Sequence, residues 1–386
     1  MKLFFAINQN ILDGSAHALY CYRSCWWLAK TRPDTEVHLL FPGQSAPSSV
    51  ETAFGLPKLA NLIIVGLPAI RKPRGGSGLT INLIFYIAAL AYLSAKLRAG
   101  DVLVSASFSK LFQFLLAFRW IKQRCKAIYE VHQLAILDDG QLSLRAKKEF
   151  RALEKADLLV TTTGPLQREL EAHLEGKPIA MLGLACGFNP ANQPPLRIRP
   201  EGSPFVIGYI GSLYSGQGVD WLIKNWKQIC ASQNQKIALE IVGGSNAEVE
   251  KFKQLASSLD LENVLFHGAV PSAQLSSYLM KMDALVIPAL HEGRMPFVAI
   301  TKAYDYLGMD RPVLASNLPS ISEILRPSES YSFTAGDPSS FAEALKELLG
   351  NPAEAGRRAL AASRSAQAFS WPSRAERWWK EANELF

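Results

Sequence analysis

The chain has 386 residues, 48% hydrophobic and 19% charged, with 41 Lys and Arg against 34 Asp and Glu. That balance excludes a disordered chain, and the length exceeds what one ordinary core fills, so two domains of roughly 150–200 residues are expected. The five cysteines are scattered, and Cys21 and Cys25, four apart in a helical pattern, lack the further Cys or His of a zinc site, so all five read as reduced thiols of a cytoplasmic protein.

The charge is uneven. Residues 1–190 hold 22 Lys and Arg against 14 Asp and Glu, whereas 191–386 hold 19 against 20. A basic first half points to an anionic surface or substrate on that side, and no nucleic-acid reader motif accompanies it, so nucleic acid is not an expected partner.

In chain order, MKLFFAINQN enters a short apolar strand without the small-residue cleavage site of a signal peptide. The stretch 75–95, GGSGLTINLIFYIAALAYLSA, is uncharged and nominally long enough to span a bilayer. Its Gly/Ser start and the interruptions at Asn82 and Ser94 favour a buried or surface-lying amphipathic helix instead. LFQFLLAFRWIKQRCK, residues 111–126, is predicted as one aromatic helix. With Arg119, Lys122, Arg124 and Lys126 it reads either as core packing or as a peripheral membrane face.

The predicted strands of the first half are KLFFAIN, VHLLF, NLIIVGL, DVLVSAS, KAIYEVH and DLLVTTT. Those of the second are FVIGYIGS, IALEIVGG, NVLFHGAV, ALVIPAL, PVLAS and YSFTAG. Continuous apolar strands alternating with helices predict parallel sheets covered on both faces. The prediction is therefore an α/β chain with a first domain over 1–188 and a second over 205–369. Between them NPANQPPLRIRPEGSP, residues 189–204, holds five prolines and reads as a linker. Residues 370–386 form a terminal helix opened by Ser370 and Pro372, expected to cross back to the first domain.

Ligands of such sheets bind beyond the carboxyl ends of the strands. After ALVIPAL comes the loop HEGRMP, then a predicted helix started by Pro296 and stopped by Gly308 and Pro312. A helix N-terminus there is an anion site, and Arg294 and Lys302 add positive charge. Asp305, on the face of Lys302, is placed to accept hydroxyl hydrogen bonds from a ribose. The plainer reading of Lys302 and Asp305 is a surface i,i+3 ion pair worth ~0.2–0.5 kcal/mol.

ITKAYDYLGMDRPVLAS resembles the P-x-K-x-x-E-Y-x-x-x-G-K/R-P-V-x-A-S signature of retaining GT-B glycosyltransferases, in particular glycosyltransferase family 4. GYIGSLYSGQGVDWLI, LEIVGG and NVLFHGAVPSAQLSSYLMKMDALVIP precede it in family order and spacing. The first half is similar more loosely, through KADLLVTTTGPLQREL, LACGFNP and YEVHQL. The resemblance implies two Rossmann-like domains facing each other across a cleft, and metal-independent transfer of a sugar from a nucleotide diphosphate, with no cofactor.

Residue by residue, the resemblance implies that Asp305 binds the ribose and that Lys302 and the amides of Val298, Ala299, Ile300 and Thr301 face the diphosphate. It further implies that His132 lies near the donor sugar, that Gly14 and Ser15 approach the diphosphate or acceptor, and that Gly268 and Val270 bracket the base. Gly211 and Ser212 follow the first strand of the second half on the donor side. The chain departs from the pattern at Phe297, where the family often has its first motif glutamate and for which Glu292 is the nearby candidate, and at Ser212 and Gln217, where an arginine and a lysine are usual.

The implied partners are a nucleotide sugar and a glycan or lipid-linked acceptor, in bacterial surface polysaccharide assembly, with the protein cytoplasmic or peripheral on the inner membrane face. A non-catalytic scaffold of the same fold, or a nucleotide-sugar epimerase, are the alternatives. Base, sugar, acceptor, linkage and oligomeric state are left open.

Overall fold

A computed structural model describes residues 1–12, 16–43, 55–69, 79–106, 110–139, 142–187, 202–271 and 274–386. Gly14, Ser15 and most of the predicted linker lie outside the described residues. The chain divides into two compact units, one of Met1–Gly183 with Trp371–Phe386, the other of Leu184–Ser370. Residues 184–187, expected in the first domain, group with the second because Cys186 N donates to Phe369 O at 2.8 Å and Gly187 N to the Asp305 carboxylate.

The first unit is a seven-stranded parallel sheet of β1 (Lys2–Ala6), β2 (Glu36–Pro42), β3 (Leu62–Leu67), β4 (Asp101–Ala106), β5 (Cys125–Val131), β6 (Leu158–Thr161) and β7 (Ile179–Met181), ordered β3-β2-β1-β4-β5-β6-β7. Phe4 of β1 sits between His38 and Leu103 of its neighbours. Strands β1 and β4 are buried on both faces, which is why their sequences read as unbroken apolar runs.

The second unit has six parallel strands, β8 (Phe205–Ile210), β9 (Ile237–Val242), β10 (Val264–Gly268), β11 (Ala284–Ile287), β12 (Val313–Ser316) and β13 (Tyr331–Phe333), ordered β10-β9-β8-β11-β12-β13. Its core gathers Ile207, Tyr209, Trp226, Leu239, Val286 and Phe341. In both sheets the order reverses in the middle, at β1/β4 and β8/β11. The loops leaving those strands are where such sheets bind ligands.

All twelve predicted strands are present. Strand β7 was not predicted, being a three-residue edge strand directly after Pro178. The predicted helix over 111–126 is two short helices, Lys110–Leu115 and Arg119–Arg124, followed by β5. Phe118 breaks it by taking an extended conformation (φ −87°, ψ 110°), and Cys125 and Lys126 are drawn into pairing with Asp101 and Val102.

The helix predicted within 75–95 spans Leu79–Lys96. It lies on the surface, burying Phe85, Tyr86, Ala89 and Leu93, but its outer face is apolar rather than polar, with Leu83, Ile84 and Ile87 exposed at 47%, 42% and 54%. Among the described residues no helix is long and apolar enough to cross a membrane.

Candidate functional site

The site of the second unit forms where β8 and β11 release the chain. After β11 the backbone does not enter a helix at Pro296. It turns first, with Phe297 N and Val298 N both donating to Arg294 O at 3.0 and 3.1 Å. Ile300 is extended (φ −92°, ψ 103°), and the helix runs only over Thr301–Leu307, capped by Gly308. The turn consumes the residues that the proline was expected to place in the first helical turn, and Val298, Ala299 and Ile300 form a half-buried to buried approach to the helix.

Within that helix Tyr306 faces the sheet, and its hydroxyl accepts the Ile210 N–H at 2.8 Å, pinning the helix to the end of β8. Lys302, one turn earlier, is thereby held over the loop that leaves β8. Its amine lies 4.9 Å from the Tyr209 ring centroid and donates to Gln217 Oε1 at 2.5 Å. Gln217 is buried, and its amide donates to the Tyr214 hydroxyl at 2.6 Å. The Lys302 side chain as a whole is half-buried, but its charged end is enclosed. Burial therefore pulls its pKa from 10.5 down to about 8, with Asp305 opposing the shift.

Asp305 is half-buried and accepts the Gly187 N–H at 2.8 Å. The site thus holds a cation and a carboxylate on one short helix, each already given a partner from its own unit.

Glycines make this closeness possible. A Cβ on Gly211 (φ +146°) would stand 2.5 Å from Lys302 Cε, and one on Gly243 (φ +119°) would stand 2.1 Å from Gly211 O. Gly218 (φ +75°) is tighter still, since a Cβ would meet Pro288 O at 1.7 Å. Gly243 N in turn donates to Gly268 O at 2.7 Å. Gly211 therefore lets the loop after β8 pass as bare backbone against the Lys302 side chain, with Gly243 packed behind it.

Of the predicted residues, Gly211, Lys302 and Asp305 come together here. Ser212 is exposed, with its carbonyl accepting the Tyr209 hydroxyl at 2.5 Å. Gly268 ends β10, with open space where a side chain would stand, and Val270 lies two residues beyond it. Glu292 is exposed in the loop after β11 and Arg294 half-buried at its turn. Gln217 stood out in the sequence only as a departure from the family pattern, and Tyr209, Gly218 and Gly243 were not singled out. The glycine spacing GSLYSGQG after a strand was the available signal for the loop, but nothing in it announced the lysine contact.

In the first unit, His132 follows the last residue of β5. Its ring stands edge-on to Tyr20 at 4.7 Å and to His17 at 5.5 Å, and its Nε2 lies 3.6 Å from Glu130 Oε2. Glu130 is fully buried. Its carboxylate accepts the Tyr20 hydroxyl at 2.5 Å and the Trp378 indole N–H at 3.0 Å, and pairs with Arg374 at 3.5 Å. Burial alone would raise the Glu130 pKa, but Arg374, His132 and Tyr20 together hold it down at about 2. Arg374 also donates to Gly183 O at 3.0 Å and to the Tyr20 hydroxyl. Two positions before His132 on an alternating strand, Glu130 shares its face, a period-2 signal legible in YEVH.

Among the described residues no group of three or more His, Cys, Asp or Glu side chains is placed to hold a metal ion.

Comparison with known proteins supplies the rest. Residues 204–351 match the family Glycosyl transferases group 1. Glycogen synthase of Mycobacterium tuberculosis is 25% identical over 240 residues, 60% of this chain and 56% of that protein, so the chain aligns with little more than half of that relative. Among solved structures, sucrose-phosphate synthase from Thermosynechococcus elongatus superposes with a TM-score of 0.77 at 16% identity, covering 100% of this chain and 99% of that one. Anabaena Alr3699/HepE, solved in complex with UDP and glucose, gives 0.72 at 15% identity with both chains covered fully. These likenesses establish the GT-B fold.

Proposed function

With a group 1 glycosyltransferase domain over residues 204–351 of a GT-B chain as premise, we propose that the protein is a retaining, metal-independent glycosyltransferase that moves a sugar from a nucleotide diphosphate to a glycan or lipid-linked acceptor. The observation that carries this reading is the enclosed amine of Lys302 above the glycine backbone of the β8 and β9 loops, with Asp305 one helical turn further on. Cleavage of the bond between the anomeric carbon and the diphosphate oxygen leaves the electron pair on the diphosphate. Lys302, Arg294 and the amides of Ala299, Ile300 and Thr301 stabilise that developing charge, the Val298 amide being engaged by Arg294 O. The acceptor hydroxyl forms the new bond on the same face and gives its proton to the leaving phosphate. Asp305 takes the ribose hydroxyls, Gly268 and Val270 flank the base, and His132 is assigned to the donor sugar.

The basic first unit and the exposed apolar face at Leu83, Ile84 and Ile87 favour work at an anionic membrane surface, as in surface polysaccharide assembly. Cosedimentation with anionic vesicles, abolished by Leu83→Ser with Ile87→Ser, is the expected result. Equal sedimentation of that variant would remove this part of the proposal.

The test of the donor site is thermal stabilisation by UDP, GDP, ADP, TDP and CMP without added metal. A nucleotide at 100 times its Kd adds ~2.7 kcal/mol of stability. One nucleotide shifting the melting curve, with the shift lost in Lys302→Ala, is expected. A second reading, a non-catalytic scaffold, is favoured by the internal partners that Lys302 and Asp305 already have in Gln217 and Gly187. It predicts no shift from any nucleotide and no transfer.

A further inference from the structure

The first unit contains a cavity of about 460 Å³ at the carboxyl end of β5, separate from the cluster around Glu130. Its floor is apolar and aromatic. Phe112 and Tyr129, with ring centroids 4.9 Å apart, are buried, as are Ala135, Ala152 and Leu153. Its rim is cationic, with Lys110, Arg145 and Lys148 all exposed around it.

The helix Leu144–Leu153 builds one wall. Ser143 caps it by accepting the Ala146 N–H, and the turn spacing brings Arg145, Lys148 and Ala152 to one face. Among the described residues the lining has one carboxylate, Glu149, which is buried and whose Oε2 accepts the Ala135 N–H at 2.6 Å. Among the described residues, three exposed cations thus stand at the rim and one buried acid, bonded to the Ala135 amide, lies in the wall. Leu144, 77% exposed, stands at the cavity as an apolar group left in water. The size is that of a small-molecule site, and a hydrophobic floor with a few charges at one end is the usual composition of one.

We propose that this cavity binds an amphiphilic anion: a phosphate or carboxylate held by Lys110, Arg145 and Lys148, and an apolar portion lying on Phe112, Tyr129 and Leu153 under Leu144. Lys–phosphate and Arg–carboxylate contacts are charge-assisted, so the rim selects charge while the floor selects the apolar body. Only the ligand's further role rests on the glycosyl-transfer reading: there it is the acceptor, which makes that acceptor an anionic amphiphile. Binding itself does not depend on that reading.

The experiment is isothermal titration of the full chain, without nucleotide, using octyl phosphate, octanoate, octyl glucoside and inorganic phosphate, each below its micellar concentration. Octyl phosphate or octanoate is expected to bind at least tenfold more tightly than octyl glucoside or inorganic phosphate, and the tighter of the two names the anion. The variant Lys110→Ala/Lys148→Ala, whose side chains are exposed, is expected to weaken binding at least tenfold with an unchanged melting curve. Leu144→Ser is expected to weaken the octyl ligands but not inorganic phosphate. Lys251→Ala/Lys253→Ala, in the other unit, should change nothing. Octyl glucoside binding as tightly as the anions, inorganic phosphate binding as tightly as octyl phosphate, or equal losses in both lysine pairs would each overturn the proposal. A failed nucleotide shift with intact octyl phosphate binding would overturn only the donor-site reading.

Discussion

Lys302 donates to Gln217 at 2.5 Å, while Asp305, three residues along the same helix, accepts the Gly187 amide at 2.8 Å. Gln217 is neutral, so it fixes the amine without cancelling its charge, leaving that charge for a diphosphate. Lys302→Ala should therefore remove a charge-assisted contact of ~1.5–3 kcal/mol, lowering kcat/KM roughly 10- to 150-fold with folding retained. Gln217→Ala removes only the positioning bond and should cost about 1 kcal/mol, roughly fivefold. Steady-state kinetics on both variants checks the order. Equal losses would mean the charge is not what matters.

The Lys302 pKa of about 8 gives two slopes of opposite sign. Between about pH 8 and 10.5 the unfolded chain holds this proton and the native chain does not, so the unliganded protein gains stability from this group as pH rises through that window. Diphosphate binding needs the proton, so nucleotide affinity falls as pH rises through about 8. Melting curves with and without nucleotide from pH 7 to 10 should converge, and Lys302→Gln should remove the convergence.

Glu130 behaves in the ordinary carboxylate sense. Its native pKa of about 2 lies below the unbound value of 4.5, so its contribution is full above 4.5 and is lost as pH falls from 4.5 to 2. Glu130→Gln leaves Arg374 buried without its anion and should cost ~3–5 kcal/mol at neutral pH. It should also flatten the acid limb of stability over that window. Acid titration followed by circular dichroism reads both effects.

The glycine positions should separate by what a methyl group meets. Gly268→Ala enters open space and carries only the positive-φ strain, about 1 kcal/mol. Gly218→Ala collides with the Pro288 carbonyl and should lower the melting temperature well beyond that. Gly211→Ala meets the flexible end of Lys302, and should lose nucleotide binding more than stability. Melting temperatures with and without nucleotide rank the three.

The strands were legible because β1, β4 and their neighbours are buried on both faces, and such burial writes itself as consecutive apolar residues. The break at Phe118 was not, since LLAFRWIK suits a helix and only pairing of Cys125 and Lys126 with β4 pulls the chain away. Pro296 misled for a similar reason: proline favours the first turn of a helix, but here the carbonyl of Arg294 captures the following amides. Lys302 and Asp305 stood out as charges in an apolar run. That they pair with Gln217 and Gly187 did not, because those residues are 85 and 118 residues away in sequence. Arg374 and Trp378 were hidden likewise, appearing only as the polar and apolar faces of a terminal helix.

The first unit is made from both ends of the chain, whereas the second is one continuous stretch. Glu130 and Arg374 are 244 residues apart, so a ribosome working at ~5–20 residues per second leaves the carboxylate without its cation for roughly 12–50 s. In that interval the nascent first unit has the indole and guanidinium seats of Trp378 and Arg374 unfilled, while Leu184–Ser370 emerges whole. The unit begun first is therefore completed last, and a ribosome that stalls short of Arg374 leaves it the incomplete one.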